Sequence, residues 1–352
     1  MHFIRMFLTV LLLTVVSSSL AVSSAAEYKK LDYEPRVYDF ESKYADINGI
    51  NICYIDEGAG DQVIIFVHGL SGTMYNFMDS IRYYSKSHRV VALDLPGHGN
   101  SERRNDIDYG IPLFADTIAG LMDHLGIEKA VIAGISMGGH STAYFAWKYP
   151  KRTIAAVLID AAGLGTNFPS FAKGFMEKHP EWIAKKMTKM TRKSLAKGKK
   201  PMLGGPANDD GKHGGKFPMF WDASKPKAKK WNDWNNAYME KFYWTEEFPK
   251  FNYALVLSSH SILSVPMNDK LADINVPTLI IWGNNDGLVD IQCGFEYARG
   301  IRGSMLVVIQ DCGHVPPVEE PEQFFAALDK FLTGIKFKKS CPNPCPRHKA
   351  AQ

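Results

Sequence analysis

The sequence predicts an α/β fold, a mostly parallel central sheet with helices on both faces and a helical insertion. Three observations carry this expectation. Short continuous apolar runs such as "VIIFV", "KAVIAGI" and "IAAVLID" alternate with helical patterns, and strands apolar on both faces need covering on both sides. The alternation stops near Gly165 and resumes near Val265, so the middle of the chain is an insertion with its own composition. The 352 residues are 45% hydrophobic and 22% charged, which suffices for a sizeable core and excludes a disordered chain.

Residues 1–26 read as an export signal. His2 and Arg5 precede the apolar run Met6 to Val16, and the small-residue stretch "SSSLAVSSAAE" offers cleavage after Ala26, or after Ala21. That run is too short to cross a bilayer core of about 30 Å as a helix. A periplasmic or secreted protein is the expectation, with an uncleaved anchor as the alternative.

Val37 to Ile55 reads as a hairpin turning at Asn48-Gly49. Strand Val63 to Val67, helix "YNFMDSIRYYSK" and strand Arg89 to Asp94 follow. Next come helix "FADTIAGLMDHLG" ended by Gly126, strand Lys129 to Ile135, a helix stopped at Pro150, and strand Ile154 to Asp160. After the insertion, strands Pro277 to Gly283 and Ser304 to Gln310 precede a helix from Pro321 to Leu332. That helix puts Phe324, Phe325, Leu328, Phe331 and Leu332 on one face. The expected division is a core of residues 27–164 and 266–335, an insertion of 165–265, and a tail of 336–352.

From Gly165 to Lys250 the chain carries 18 Lys and Arg against 9 Asp and Glu, a net +9 in a chain whose total is +4. Within it, Glu181 to Lys197 can form a basic amphipathic helix. Trp182, Ile183, Met187 and Met190 lean to one side, and Lys185, Lys186, Lys189, Arg192 and Lys193 surround the other. Such a helix is expected to pack its apolar side inward, with weak contact to an anionic membrane surface as the alternative. The overall charge is too modest for nucleic-acid binding.

Five cysteines bear on redox state. Cys341 and Cys345 flank "PNP" in the tail and suit a small disulfide loop; with His348 they are a weaker metal-site alternative. Cys293 and Cys312 are expected to be able to pair, and Cys53 to be a buried strand residue.

The chemistry lies at strand ends. "GISMGGH" places Ser136 at a strand-to-helix junction, where Gly134 and Gly138 allow the sharp turn that projects Oγ. A nucleophilic serine needs a histidine to take its proton, a carboxylate to orient that histidine, and backbone donors for the oxyanion. Asp286 in "GNNDGLV" and His314 in "DCGHVPPVEE" follow the next strands in the order Ser, Asp, His. Asp160 and Asp290 are the rival acids, Asp160 being expected as a loop cap. Leu70 and Met137 are the expected oxyanion N–H donors, and His68 is expected to shape the "FVHGLSG" loop. His140 is expected to be packed, and His88 and His124 to lie near the surface. No metal or organic cofactor is required by this chemistry.

With these pieces the chain resembles the α/β-hydrolase superfamily, among its single-chain esterase, lipase and C–C hydrolase members. The matching motifs are "HGLSG", "DLPGHGNS", "GISMGGH", "WGNNDGLV" and "CGHVPPVEEPEQF", spanning Val63 to Leu332 apart from the divergent middle. The resemblance implies an α/β-hydrolase fold with the insertion as a cap lining the pocket. Dehalogenase and epoxide-hydrolase branches use aspartate where Ser136 stands, and the prolyl-aminopeptidase-like branch prefers tryptophan where Met137 stands. A carboxylic-ester hydrolase acting on a small-molecule ester or lipid is therefore expected. The alternatives are a C–C hydrolase, lactonase or perhydrolase on the same triad, or a non-catalytic ligand binder.

Overall fold

The computed structural model describes residues 32–164, 170–197, 235 and 237–335. The expected signal segment, Cys341, Cys345 and the tail lie outside the described residues. Among the described residues, eight strands form one sheet: β1 (Lys43–Ile47), β2 (Ile50–Glu57), β3 (Val63–Val67), β4 (Arg89–Leu93), β5 (Ala130–Ile135), β6 (Thr153–Ile159), β7 (Thr278–Gly283) and β8 (Met305–Ile309). Their order is β1-β2-β4-β3-β5-β6-β7-β8. The β1–β2 and β2–β4 pairs are antiparallel, and every other pair is parallel.

The hairpin turns where expected. Asn48 (φ 55°) and Gly49 (φ 80°) both take left-handed backbone, and Ile47 pairs with Ile50. Its first strand starts at Lys43 rather than Val37. The chain before it is anchored by side chains instead of a ladder: Tyr38 donates its hydroxyl to Asp94 Oδ2 at 2.7 Å, while Val37 is 81% exposed.

The core helices are α1 (Met78–Tyr84), α2 (Ile111–His124) and α3 (Met137–Lys148) before the insertion. The described insertion contributes α4 (Ser170–Lys178), α5 (Pro180–Leu195) and α6 (Glu247–Ser264), and the late core adds α7 (Ile291–Gly300), α8 (Pro316–Glu319) and α9 (Pro321–Gly334). Alternate residues of β3 face opposite layers. Ile64 and Phe66 pack with Phe77, Ile81, Phe324 and Leu328, whereas Val63, Ile65 and Val67 pack with Phe114, Ile118 and Phe145. Each of these large apolar side chains contributes about 1.5–3 kcal/mol on burial.

The same two-layer geometry corrects one expectation. Cys293 and Cys312 are not joined, because Cys312 is buried in the layer of α1 and α9 and Cys293 packs in the layer of α3 and α7. The sheet lies between them. Cys53 is a buried thiol in β2, as expected.

The insertion leaves β6 and returns to β7. Ile183 and Met187 of α5 pack on Leu255, Val256 and Leu263 of α6, and Leu70 from the core packs against this cluster. Trp182 falls outside the buried stripe and is 47% exposed, since Ile183, Ala184 and Met187 set the inward direction and Trp182 sits one residue, about 100°, to its side. The Lys186 ammonium lies 4.7 Å over the Trp182 ring. Buried Arg103 pairs with Glu247 at 3.5 Å and lies over the Tyr33 and Phe242 rings, fastening the insertion to the core.

Candidate active site

Ser136 sits between β5 and α3 with φ 56° and ψ −116°. A residue bearing a Cβ pays about 1–3 kcal/mol to stay in so sparsely populated a conformation. Three hydrogen bonds hold it there: Ser136 N–H donates to Ile159 O at 2.9 Å, and Ser136 O accepts from His140 N–H at 2.9 Å and Ala162 N–H at 3.0 Å. Two glycines make the approach. A Cβ at Gly134 would lie 2.1 Å from Gly138 O, and one at Gly138 would lie 2.2 Å from Val67 O. The N-terminus of α3 is therefore pressed against the end of β3, directing its dipole and N–H groups at the elbow.

The loop after β3 passes beside this serine. A Cβ at Gly69 would be 3.0 Å from Ser136 Cβ and 3.6 Å from Oγ. Gly72 N–H closes a turn on Gly69 O at 3.0 Å, with Ser71 in left-handed backbone. His68 shapes the loop from within the core. Leu95 N–H can only donate, so His68 Nε2 accepts it at 2.9 Å, which leaves the proton on Nδ1 to donate to Gly69 O at 2.7 Å. Burial pushes the His68 pKa down to about 4, so the ring stays neutral.

At the ends of β7 and β8, His314 Nδ1–H donates to Asp286 Oδ2 at 2.7 Å, and both side chains are almost wholly buried. Asp286 Oδ1 accepts Leu288 N–H at 2.8 Å and Val289 N–H at 3.1 Å. The two loops are stitched together, since Asn285 N–H donates to Cys312 O and Cys312 N–H donates to Asn284 Oδ1. Glu319, which the motif reading did not single out, accepts Gly313 N–H and Val315 N–H at 2.9 Å each and so clamps the backbone on both sides of His314. Its only sequence signal is the acidic pair five residues after the histidine.

The rival acids separate. Asp290 is the N-cap of α7, accepting Gln292 N–H at 2.9 Å on the protein surface. Asp160 accepts Gly283 N–H at 2.9 Å, a cap across to β7, and also joins Asp286 and His314 in a cluster with ligand atoms within 4.8 Å. Among the other histidines, His140 is buried and bonded to Val265 O at 2.8 Å, His88 is half-buried and His124 is exposed. His98 was not anticipated: it is buried 5.4 Å from His68, ring to ring.

Burial holds His68, His98 and His140 down at about 4, 3 and 4, against 6.5 in an unfolded chain. Below pH 6.5 the unfolded state takes protons these folded rings refuse, so stability is full above that pH and falls as pH drops toward 4. Asp94 and Asp160, whose carboxyls burial raises, oppose this by binding protons in the folded state. The net expectation is uptake of about one or two protons on unfolding, on the order of 1–3 kcal/mol lost per pH unit. Urea midpoints between pH 7.5 and 4.5 check it, and a flat series contradicts it.

Ser136, Asp286 and His314 thus stand at the carboxyl ends of β5, β7 and β8, where open α/β sheets place their sites. Residues 62–321 match the family described as alpha/beta hydrolase fold. A 2-hydroxy-6-oxononadienedioate/2-hydroxy-6-oxononatrienedioate hydrolase of Paraburkholderia phymatum is 28% identical, covering 83% of this chain and 95% of its own. The dihydrolipoyllysine-residue acetyltransferase component of the acetoin cleaving system of Cupriavidus necator is 27% identical, over 83% of this chain and 69% of that protein. The solved enol-lactonase from Burkholderia xenovorans LB400 superposes with a TM-score of 0.63 at 22% identity, over 83% of this chain and 100% of its own, a likeness of fold. With the matched region running from the start of β3 to the start of α9, the chain belongs to the α/β-hydrolase-fold family.

Proposed function

We propose that the protein is a serine hydrolase that cleaves carboxylic esters through an acyl-enzyme on Ser136. The observation that carries this reading is the strained serine elbow beside the Gly69 loop, at the same sheet edge as the 2.7 Å His314–Asp286 pair. Ser136 Oγ attacks the ester carbonyl carbon while His314 Nε2 takes its proton. Leu70 and Met137 N–H groups receive the oxyanion. Collapse of the tetrahedral intermediate breaks the ester C–O bond, and His314 returns the proton to the departing alcohol. Water, deprotonated by the same ring, then releases the acid and regenerates Ser136. Asp286 holds the imidazole with its proton on Nδ1 throughout. The insertion acts as a cap over this edge, with Leu70 between it and the core.

A second reading is C–C bond hydrolysis on the same triad, favoured by the name of the Paraburkholderia relative. Such a dioate carries two carboxylates and calls for cations in the pocket. Among the described residues, the insertion's Arg192 donates to its own Tyr243 and Thr245 carbonyls, Arg103 is bound to Glu247, and Lys185 is 75% exposed. The relative rates on a neutral ester and on the dioate distinguish the two substrates.

Fluorophosphonate labelling at Ser136, followed by initial rates on p-nitrophenyl esters and on a 2-hydroxy-6-oxo-dienedioate, tests both. Labelling with faster ester turnover is expected. Labelling with faster dioate cleavage selects the second reading, and an unlabelled Ser136 removes both.

A further inference from the structure

Behind the His314–Asp286 pair lies a carboxyl that the proposed reaction does not use. Asp160 follows β6, is fully buried, and takes φ 43°, a backbone region that aspartate enters only at a cost. It is tied to β7 twice, its N–H donating to Ile281 O and its Oδ1 accepting Gly283 N–H, both at 2.9 Å. Among the described residues, none donates an N–H or O–H to the buried Asp160 Oδ2. Asp160, Asp286 and His314 each bring one oxygen or nitrogen within 4.8 Å of the others.

Two buried carboxylates this close repel each other when both are ionised, which favours a proton on one of them. The hydrogen bonds say which. Asp286 accepts two backbone N–H groups on Oδ1 and the imidazole Nδ1–H on Oδ2, the environment of an anion. Asp160 accepts a single backbone N–H, and the groups facing it are Asp286, His314 and, further off, the acidic Glu319. Burial first, and the Asp286 charge second, hold its carboxyl well above the usual carboxylate range.

We propose that Asp160 is a positioning residue that stays protonated through turnover and donates its O–H to the Asp286 carboxylate. The inference rests on the assignment of Asp286 and His314 as the acid and base of the proposed function. The donated hydrogen bond fixes the Asp286 rotamer, so that Oδ2 keeps aiming at His314 Nδ1. It also withdraws part of the Asp286 charge, which tempers how strongly that carboxylate favours the imidazolium. No proton leaves Asp160 during the cycle; the imidazolium that forms faces one anion, not two.

The sign of a pH shift separates this arrangement from its rivals. Asp160→Asn keeps a donor toward Asp286 and an acceptor for Gly283 N–H, and cannot ionise. It should retain kcat within about threefold, with the acid limb of the kcat/KM profile in place. Asp160→Ala removes the donor and restores the full Asp286 charge. Its kcat should fall on the order of 10- to 100-fold with KM little changed, and its acid limb should move up by about 0.5–1 pH unit.

If Asp160 is instead ionised, both variants delete a negative charge and the limb moves down, which overturns the proposal. An Asp160→Ala limb that does not move, with only stability lost, reduces the residue to a structural role and also overturns it. Should the alanine variant fail to fold, the asparagine limb alone still decides the charge state. NMR titration of the His314 ring follows the same shift without turnover. A wild-type protein that fluorophosphonate does not label therefore counts against the proposed function, while the ring titration still reads Asp160.

Discussion

Ser136→Ala is expected to lower kcat by about 10^4- to 10^6-fold, while Ser136→Gly removes activity equally and makes the protein more stable than wild type. The two variants differ because the serine does two things. In the proposed reaction its Oγ supplies the nucleophile, and its Cβ is held at φ 56° and ψ −116° by the Ile159, His140 and Ala162 hydrogen bonds around it. Alanine loses the oxygen and keeps the Cβ, so its melting temperature should stay near the wild-type value. Glycine loses both and is released from a strain of about 1–3 kcal/mol. Against that stands about 0.5–1 kcal/mol for the greater freedom of glycine in the unfolded chain. The net gain of about 1 kcal/mol should raise the melting temperature by roughly 1–2 °C. Calorimetry on the three proteins, alongside ester kinetics, gives both readouts. An alanine variant retaining more than about a hundredth of the wild-type rate removes Ser136 as nucleophile. A glycine variant less stable than wild type means the elbow stores no strain.

The parts of this arrangement that could be read from the chain are those encoded by one segment at a time. Strands β3 to β7 show as continuous apolar runs because both faces of the sheet are covered; Ser136 directly follows β5, and Asp286 and His314 lie in the loops that follow β7 and β8. The hairpin at Asn48-Gly49 shows because its turn needs left-handed backbone at both positions. What could not be read depends on which segments meet. Cys293 and Cys312 follow neighbouring strands, and only the sheet between them shows that they cannot pair. Val37 to Ser42 alternates like a strand but is held by the Tyr38–Asp94 bond, to which sequence spacing is blind. Asp160 was readable as a cap and is one; its approach to Asp286 arises because β6 and β7 are neighbours across a long insertion. Glu319 bonds to backbone N–H groups on either side of His314, a pattern that leaves no residue-type signature.

Gly138→Ala should be among the most damaging single-methyl changes in the chain, costing at least about 4 kcal/mol of stability. The added carbon would lie 2.2 Å from Val67 O, 2.5 Å from His68 O and 2.8 Å from Val67 C. All three are backbone atoms at the end of β3, and Val67 is in register with Leu93 on one side and Gly134 on the other. The strand cannot recede without breaking two parallel ladders, so α3 must lift instead. That movement is opposed from below, because Gly134 already packs directly under Gly138 O. A variant that still folds carries the displacement to Met137 and Ser136, and a shift of about 1 Å there costs on the order of 100-fold in rate. Gly126→Ala is the matched comparison. Gly126 has φ 65° with nothing within 4 Å of an added Cβ, so only backbone strain is charged, about 1 kcal/mol, with full activity. Urea midpoints and kcat for both variants separate close packing from glycine conformation as the reason for the motif. A Gly138→Ala protein within about 1 kcal/mol of wild type and normally active would mean that α3 does not rest on β3 and that the proposed oxyanion donors are not positioned by that contact.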